Sequence, residues 1–254
     1  MKLIFIGSGS AFTVGADNYN SNMLLVDETN NQKLLIDCGS DARHALHEAG
    51  YSYRDITDVY ISHLHADHAG GLEWLALTTK FDPACEKPNL FANRFIIKDL
   101  WHNTLSGGMN TLQGIKSQLS LFFNVHPVEE NSSFIWNNTR FQIIQTVHVV
   151  SGFMLMHSFG LIFEVNNKKI FITTDTQFSP NQLKDFYRSA DLIFQDCETT
   201  SVPSGVHAHY DQLITLEPSI KEKMWLYHYN PGKLPNAVKD GMCGFVSKKQ
   251  IFDL

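Results

Sequence analysis

The chain has 254 residues, 43% hydrophobic and 18% charged, which suits one sizeable α/β core of ordinary globular composition. A formal net charge of −6 argues against the basic face that a long nucleic-acid footprint needs, but leaves room for a small anionic substrate. No apolar run approaches the roughly 20 residues of a membrane span. The four cysteines form no Cys-x-x-Cys pair, as expected in a reducing compartment, and twelve histidines are an excess that asks for a use.

In chain order, residues 3–6 read as a short buried strand. No signal-peptide layout surrounds it, so a cytoplasmic protein is expected. Gly7-Ser8-Gly9-Ser10-Ala11-Phe12 lacks the lysine and spacing of a phosphate loop and reads as a tight loop near the site. Strands follow at 22–26 and 33–37, then a helix over 41–49 that leaves His44 and His47 on the surface. Asp37, at a strand end, suits either a supporting carboxylate or a helix cap.

Val59-Tyr60-Ile61 is a strand that runs into Ser62-His63-Leu64-His65-Ala66-Asp67-His68-Ala69-Gly70-Gly71, and a helix is expected over 71–79. His63 and His65 are two apart in extended backbone and project to one side. Asp67 and His68 fall at the turn into the helix and can reach a second spot nearby. Imidazole and carboxylate are the donors of zinc and similar divalent ions, and two pairs of them suggest two adjacent ions.

Residues 81–136 are less regular, with a strand near 87–92, a helical pattern at 97–105 and a flexible break at 106–110. His102 and His126 read as structural or surface residues. Two strands with a turn at Asn137-Asn138 cover 134–150, and His148 stands at a strand end. A hairpin turning at Asn166-Asn167 delivers Thr174-Asp175-Thr176. A helix at 181–189, a strand ending at Asp196, a loop with His207-Ala208-His209, a helix from about 211 and a last strand at 224–227 ending in His228 complete the reading. No repeat or linker interrupts the chain, so residues 1–254 are expected to form one domain.

The His63-x-His65-x-Asp67-His68 motif, after a strand and before Gly-Gly, resembles the signature of the metallo-β-lactamase-fold hydrolases. That resemblance implies an α/β fold with four layers, an αββα sandwich. In the phosphodiesterase branch, which includes the tRNA 3′-processing endonucleases (tRNase Z), later His, Asp and His motifs complete the ligand set. Here they match His148, Asp175 and His228, with Asp175 bridging the two ions. Two zinc ions are therefore expected, with manganese possible on the same donors. The catalytic set implied is Asp67, the acid His209 and its orienting partner Asp196, with His207 as a rival acid two residues away.

The opening residues 1–15, with Asn20-Ser21-Asn22 and Leu35-Ile36-Asp37-Cys38-Gly39-Ser40, look closer still to the anti-Pycsar cyclic-nucleotide phosphodiesterases of phages and bacteria. The resemblance implies hydrolysis of 3′,5′-cyclic nucleotides such as cCMP and cUMP, often cAMP and cGMP, by a homodimer. The alternatives are an arm-less RNA-processing enzyme and a metal protein that sequesters a nucleotide without cleaving it. Phe12, Phe153 and Tyr210 are all candidates to stack on a base, and the sequence does not rank them.

Overall fold

In the computed structural model, which describes residues 1–15 and 17–254, two seven-stranded sheets face each other. In chain order the strands are β1 (Lys2–Phe5), β2 (Met23–Asp27), β3 (Gln32–Ile36), β4 (Asp58–Ile61), β5 (Asn89–Asn93), β6 (Thr111–Leu112), β7 (Ile115–Lys116), β8 (Asn124–Val128), β9 (Ser133–Trp136), β10 (Thr139–Ser151), β11 (Met154–Val165), β12 (Lys168–Ile172), β13 (Leu192–Asp196), β14 (Met224–Tyr227), β15 (Gly244–Phe245) and β16 (Ile251–Asp253). The first sheet has the order β16-β1-β2-β3-β4-β5-β8 and the second β15-β14-β13-β12-β11-β10-β9, while β6 and β7 form a small separate hairpin.

Each sheet is antiparallel on one side and parallel on the other. In the first, β3, β4, β5 and β8 run parallel. In the second, β12 to β15 do. Parallel strands deliver their C-terminal ends to one rim, where sites in α/β sheets are built.

Side-chain alternation sets the layers. Ile170 and Ile172 of β12 join the core between the sheets, whereas Phe171 joins a cluster on the outer face with Leu183 and Tyr187 of the helix Pro180–Ser189. The first sheet is covered by Ala42–Glu48 and Leu72–Phe81, which contribute Ala45, Leu46, Leu75 and Ala76 to the core. Helix, sheet, sheet, helix is the αββα sandwich expected. The hairpin turns also hold: Asn137, Asn138, Asn166 and Asn167 all take the left-handed backbone (φ of 46°, 61°, 50° and 61°) that such two-residue turns require.

Other features differ from the sequence reading. Residues 106–110 are not a flexible break: Ser106–Met109 is helical and Met109 is buried. Gly108 lets the Glu73 side chain of the neighbouring helix lie close, since a Cβ there would sit 2.8 Å from its carboxylate. The strands β8, β15 and β16 lie at or beside sheet edges, and their few residues carry no clear alternation to read.

Two hydrogen bonds lock the sheets together beside the histidine loop. Tyr60 Oη on β4 donates to the Phe159 carbonyl on β11 (2.8 Å), and Phe159 N–H donates to the Ser62 carbonyl (3.1 Å). Stacking of Tyr60 on Phe134 (centroids 5.7 Å apart) and contact of Phe5 with Phe194 (5.1 Å) extend the seam. Tyr60→Phe keeps the ring and orphans a buried carbonyl. It is expected to lower unfolding stability by about 1–3 kcal/mol, read from the midpoint of urea unfolding at unchanged slope.

Candidate metal centre

The histidine loop is laid down on backbone. Cys38 N–H donates to the His68 carbonyl (2.7 Å), Ser40 N–H to the Ala66 carbonyl (2.9 Å) and Gly71 N–H to the Cys38 carbonyl (2.8 Å). The approach is so close that a Cβ on Gly39 would lie 2.1 Å from the Asp67 carbonyl oxygen. His65 then stands at the N-terminal boundary of the short helix Ala66–Ala69, which turns Asp67 and His68 inward.

The remaining residues arrive from the second sheet. His148 sits in the stretch where the β10–β11 register slips between Val147 and Val150, a bulge that re-aims its side chain. Asp175 follows β12, Asp196 ends β13 and His228 follows β14. Asp37, Thr174 and His228 hold left-handed backbones (φ of 62°, 52° and 63°), a strain of about 1–3 kcal/mol each that the surrounding packing must hold in place.

The side chains converge. His63, His65, His148 and Asp175 form one group of potential ligands, Asp67, His68, Asp175 and His228 a second, and Asp175, Asp196, His207 and His228 a third, so Asp175 belongs to all three. In the first group His65 Nδ1 lies 3.1 Å from the Nε2 atoms of both His63 and His148, which lie 3.6 and 3.7 Å from Asp175 Oδ2. In the second, the Nε2 atoms of His68 and His228 each lie 3.2 Å from Asp67 Oδ2, and 3.3 and 3.5 Å from Asp175 Oδ2. Ligands bonded tetrahedrally at zinc distances lie about 3.4 Å from one another, so these spacings suit such an ion. His68 Nε2 and Asp175 Oδ1 are buried without a hydrogen-bond partner, as atoms that await a cation would be.

Outer contacts set which ring nitrogen faces inward. His68 Nδ1–H donates to Asp37 (2.7 Å), and Asp37 also accepts from Ser62 N–H (2.8 Å) and Ser62 Oγ (2.7 Å). Asp37 is therefore the supporting carboxylate, not a helix cap. His148 Nδ1–H donates to the Val206 carbonyl (2.8 Å). Ser62 and Val206 were not legible in the sequence, because a backbone carbonyl and a lone serine carry no motif.

The electrostatics follow from burial. Burial, helped by neighbouring His68, pushes His63 well below the ordinary histidine pKa and keeps it neutral, the form that ligates. Burial works against Asp175, yet the positive charge of His228 and His68 holds it well below the carboxylate range. The same attraction, against burial, raises His68 and lifts His228 to about 10. Protons thus neutralise in this cluster what cations can neutralise in their place.

Asp196 is fully buried, accepts from Thr176 N–H (2.9 Å) and approaches His228 Nδ1 (3.3 Å). Its histidine partner is His207, not His209. His207 Nδ1–H donates to Asp196 Oδ2 (2.8 Å), and its ring lines the cavity over the centre. Burial opposes the charged ring, but the Asp196 carboxylate more than offsets this and raises the His207 pKa. His209 does not join the cluster: Nε2–H donates to the Thr200 carbonyl (2.8 Å) and Nδ1 accepts from Asp211 N–H as a helix cap. The chain bends at His207, so the two histidines do not share a side as they would in a strand. The other spare histidines lie away from the centre, with His126 bonded to Asn89 and stacked on Phe91, and His44, His47 and His102 exposed.

A cavity of about 440 Å³ opens over the centre, between Ser10–Phe12 on one side and the Glu198–His207 segment on the other, with Asp67, Asp175 and His228 at its base.

This sandwich, with its ligand cluster at one rim, is the metallo-β-lactamase fold. A protein of that fold from Bacillus subtilis, YhfI, superposes with a TM-score of 0.74 at 16% identity, over 99% of this chain and 98% of that one. The short form of human tRNase Z superposes at 0.71 and 18% identity, over 100% and 99%. Residues 1–252 match the family described as anti-Pycsar protein Apyc1. A relative bearing that name from Paenibacillus harenae is 35% identical over 234 residues, 90% of each chain. The chain belongs to the anti-Pycsar Apyc1 family.

Asp37→Ala leaves the His68 ring free to turn. It is expected to weaken retention of a divalent cation by about 10–100-fold, measured by competition with a chromophoric chelator, with the circular dichroism unchanged. Equal retention by both proteins would show that Asp37 does not orient a ligand.

Proposed function

We propose that the chain is a dinuclear-metal phosphodiesterase that opens 3′,5′-cyclic mononucleotides (cCMP and cUMP, also cAMP and cGMP) to linear nucleoside monophosphates and so counters cyclic-nucleotide antiphage signalling. The observation that carries this reading is Asp175, common to the two ligand groups that the histidine loop contributes to, at the base of a mononucleotide-sized cavity. In this reading His63, His65 and His148 hold one cation, Asp67, His68 and His228 the other, and Asp175 both. The donor set suits zinc, and manganese second. Bound there, the pair supplies Lewis-acid polarisation of the phosphoryl group and a nucleophile at neutral pH.

The chain's own groups do the rest. Asp67 lines the cavity and is placed to orient the attacking water. His207, held by Asp196, hands a proton to the leaving ribose oxygen. The sequence reading gave this task to His209, whose ring is committed to Thr200 and Asp211. The family name, which speaks of opposing Pycsar, supports the substrate class.

The reading also places the protein in the cytosol as a homodimer. Among the described residues no helix is long and apolar enough to cross a membrane. Val150, Phe153 and Met154 leave an apolar tip exposed on the β10–β11 hairpin, a surface suited to a second copy.

Purified protein, expected to sediment at twice its 28.8 kDa chain mass, should convert the four cyclic nucleotides to linear monophosphates. Exhaustive chelation should abolish this, and Zn²⁺ or Mn²⁺ should restore it. If no linear product forms with metal supplied, the reading fails. Cleavage of precursor tRNA instead would favour the RNA-processing alternative, and release of unchanged nucleotide on denaturation the sequestering one.

His207→Ala should lower kcat by about 10²–10⁴-fold at unchanged metal content, whereas His209→Ala should change kcat by less than about tenfold. The reverse order would return the acid to His209.

A further inference from the structure

We propose that Phe12 is the face on which the nucleobase stacks, an assignment that rests on the cyclic-nucleotide reading. Phe12 is 78% exposed at the rim of the cavity over the centre, and no aromatic partner contacts its ring among the described residues. A bare phenyl ring in water leaves apolar surface uncovered, and a planar base entering the cavity would cover it.

The ring is carried on a rigid base. Gly9 N–H donates to the Tyr19 carbonyl (2.9 Å), Ser10 N–H to the Tyr229 carbonyl (3.0 Å) and Ser21 Oγ to the Gly9 carbonyl (2.8 Å). Thr13 N–H closes a turn on the Ser10 carbonyl (3.0 Å), so tight that a Cβ on Gly9 would lie 2.2 Å from Thr13 Oγ1. Tyr229 and Asn230 directly follow His228, and Asn230 Nδ2 reaches Ser10 Oγ (3.4 Å). The segment that bears the aromatic is thus tied to the segment that bears a candidate ligand, which fixes the span between base and phosphate.

The other candidates are committed elsewhere. Tyr210 is buried, stacks on Phe245 and donates its hydroxyl to Asp240 (2.6 Å). Phe153 sits at the hairpin tip and does not line this cavity. Phe95 stacks on His157 beside a different cavity.

The opposite wall offers little to read a base edge. Glu198 accepts from Thr200 Oγ1 (2.8 Å), Ser204 N–H (2.9 Å) and Ser204 Oγ (2.9 Å), which occupies the hydroxyl donors of Thr200 and Ser204 that line that wall. Recognition through a π-face alone tolerates every base, because every base has one. Discrimination among the four nucleotides should therefore be weak, with kcat/KM values within about tenfold of one another.

The test compares wild type with Phe12→Ala, Phe12→Leu and Phe12→Trp on the four cyclic nucleotides and on a cyclic ribose phosphate without a base. Phe12→Ala and Phe12→Leu are expected to raise KM about tenfold or more with kcat within threefold. Phe12→Trp should restore KM, and the KM penalty should shrink below threefold on the baseless analogue. Unchanged KM in both apolar variants, with wild type active, overturns the stacking role and leaves the phosphodiesterase standing. An equal penalty on the baseless analogue overturns it too, since the loop would then act on the phosphate. A wild type inactive on all four nucleotides removes both.

Discussion

A carboxylate with 1% exposure needs hydrogen-bond donors or positive charge around it, and Asp175 is such a carboxylate. Its Oδ2 lies within 3.8 Å of ring nitrogens on His63, His68, His148, His207 and His228, drawn from both sheets. None of these groups could be buried alone without a large desolvation penalty. Together they satisfy one another, with cations or with protons. The rest of the rim follows from this demand: left-handed backbones at Asp37, Thr174 and His228, a bulge at His148 and a glycine at 39 each bring a side chain or a loop somewhat closer than regular strands allow.

The demand also explains why the centre lies between sheets rather than on one. A single sheet presents strand ends in a row and can aim only a few side chains at one point. Here the first sheet supplies His63, His65, Asp67 and His68 from one loop, and the second supplies His148, Asp175, Asp196 and His228 from four strands. The bonds from Tyr60 to Phe159 and from Phe159 to Ser62 hold the two contributions in register a few residues from the ligands. Packing of the core and geometry of the site are thus set by the same seam.

How much of this was legible depended on whether the signal was local. Four ligand-type residues within six positions announced the first half outright. Asp175 and His228 were legible once strand ends were placed and the family pattern compared; His148 was legible from the family pattern alone, because it lies at a bulge inside β10 and not at the strand end expected of it. The His207 and His209 pair could not be separated on paper. Both precede a helix, and the choice turns on a backbone bend that brings the Ala208 carbonyl to Glu198 N–H. The sequence around Asp37 suits either role, because its deciding partner, His68, is 31 residues away. Edge strands such as β16 escaped because three residues carry too few alternations to read.

The cavity joins two kinds of control that differ in stiffness. Its base is a network of charged groups in which a displacement of any member exposes unpaired charge to a low dielectric, so it tolerates little change. Its rim is made of the Ser10–Phe12 turn and the Glu198–His207 segment, held by neutral or singly charged hydrogen bonds that cost far less to rearrange. In the proposed phosphodiesterase, chemistry at the base and selectivity at the rim would then vary largely separately. His207 is the exception, because it sits on the rim segment while its proton is governed by Asp196 in the base. A change in the rim that shifts Val206 would also pull on His148, through the bond between its ring and the Val206 carbonyl. The segment carrying the proposed acid is therefore coupled to the ligand cluster through the side chains of His148 and Asp196 themselves, whereas the Ser10–Phe12 turn is tied only to the backbone and side chains that flank His228, and alterations in the former should be tolerated least.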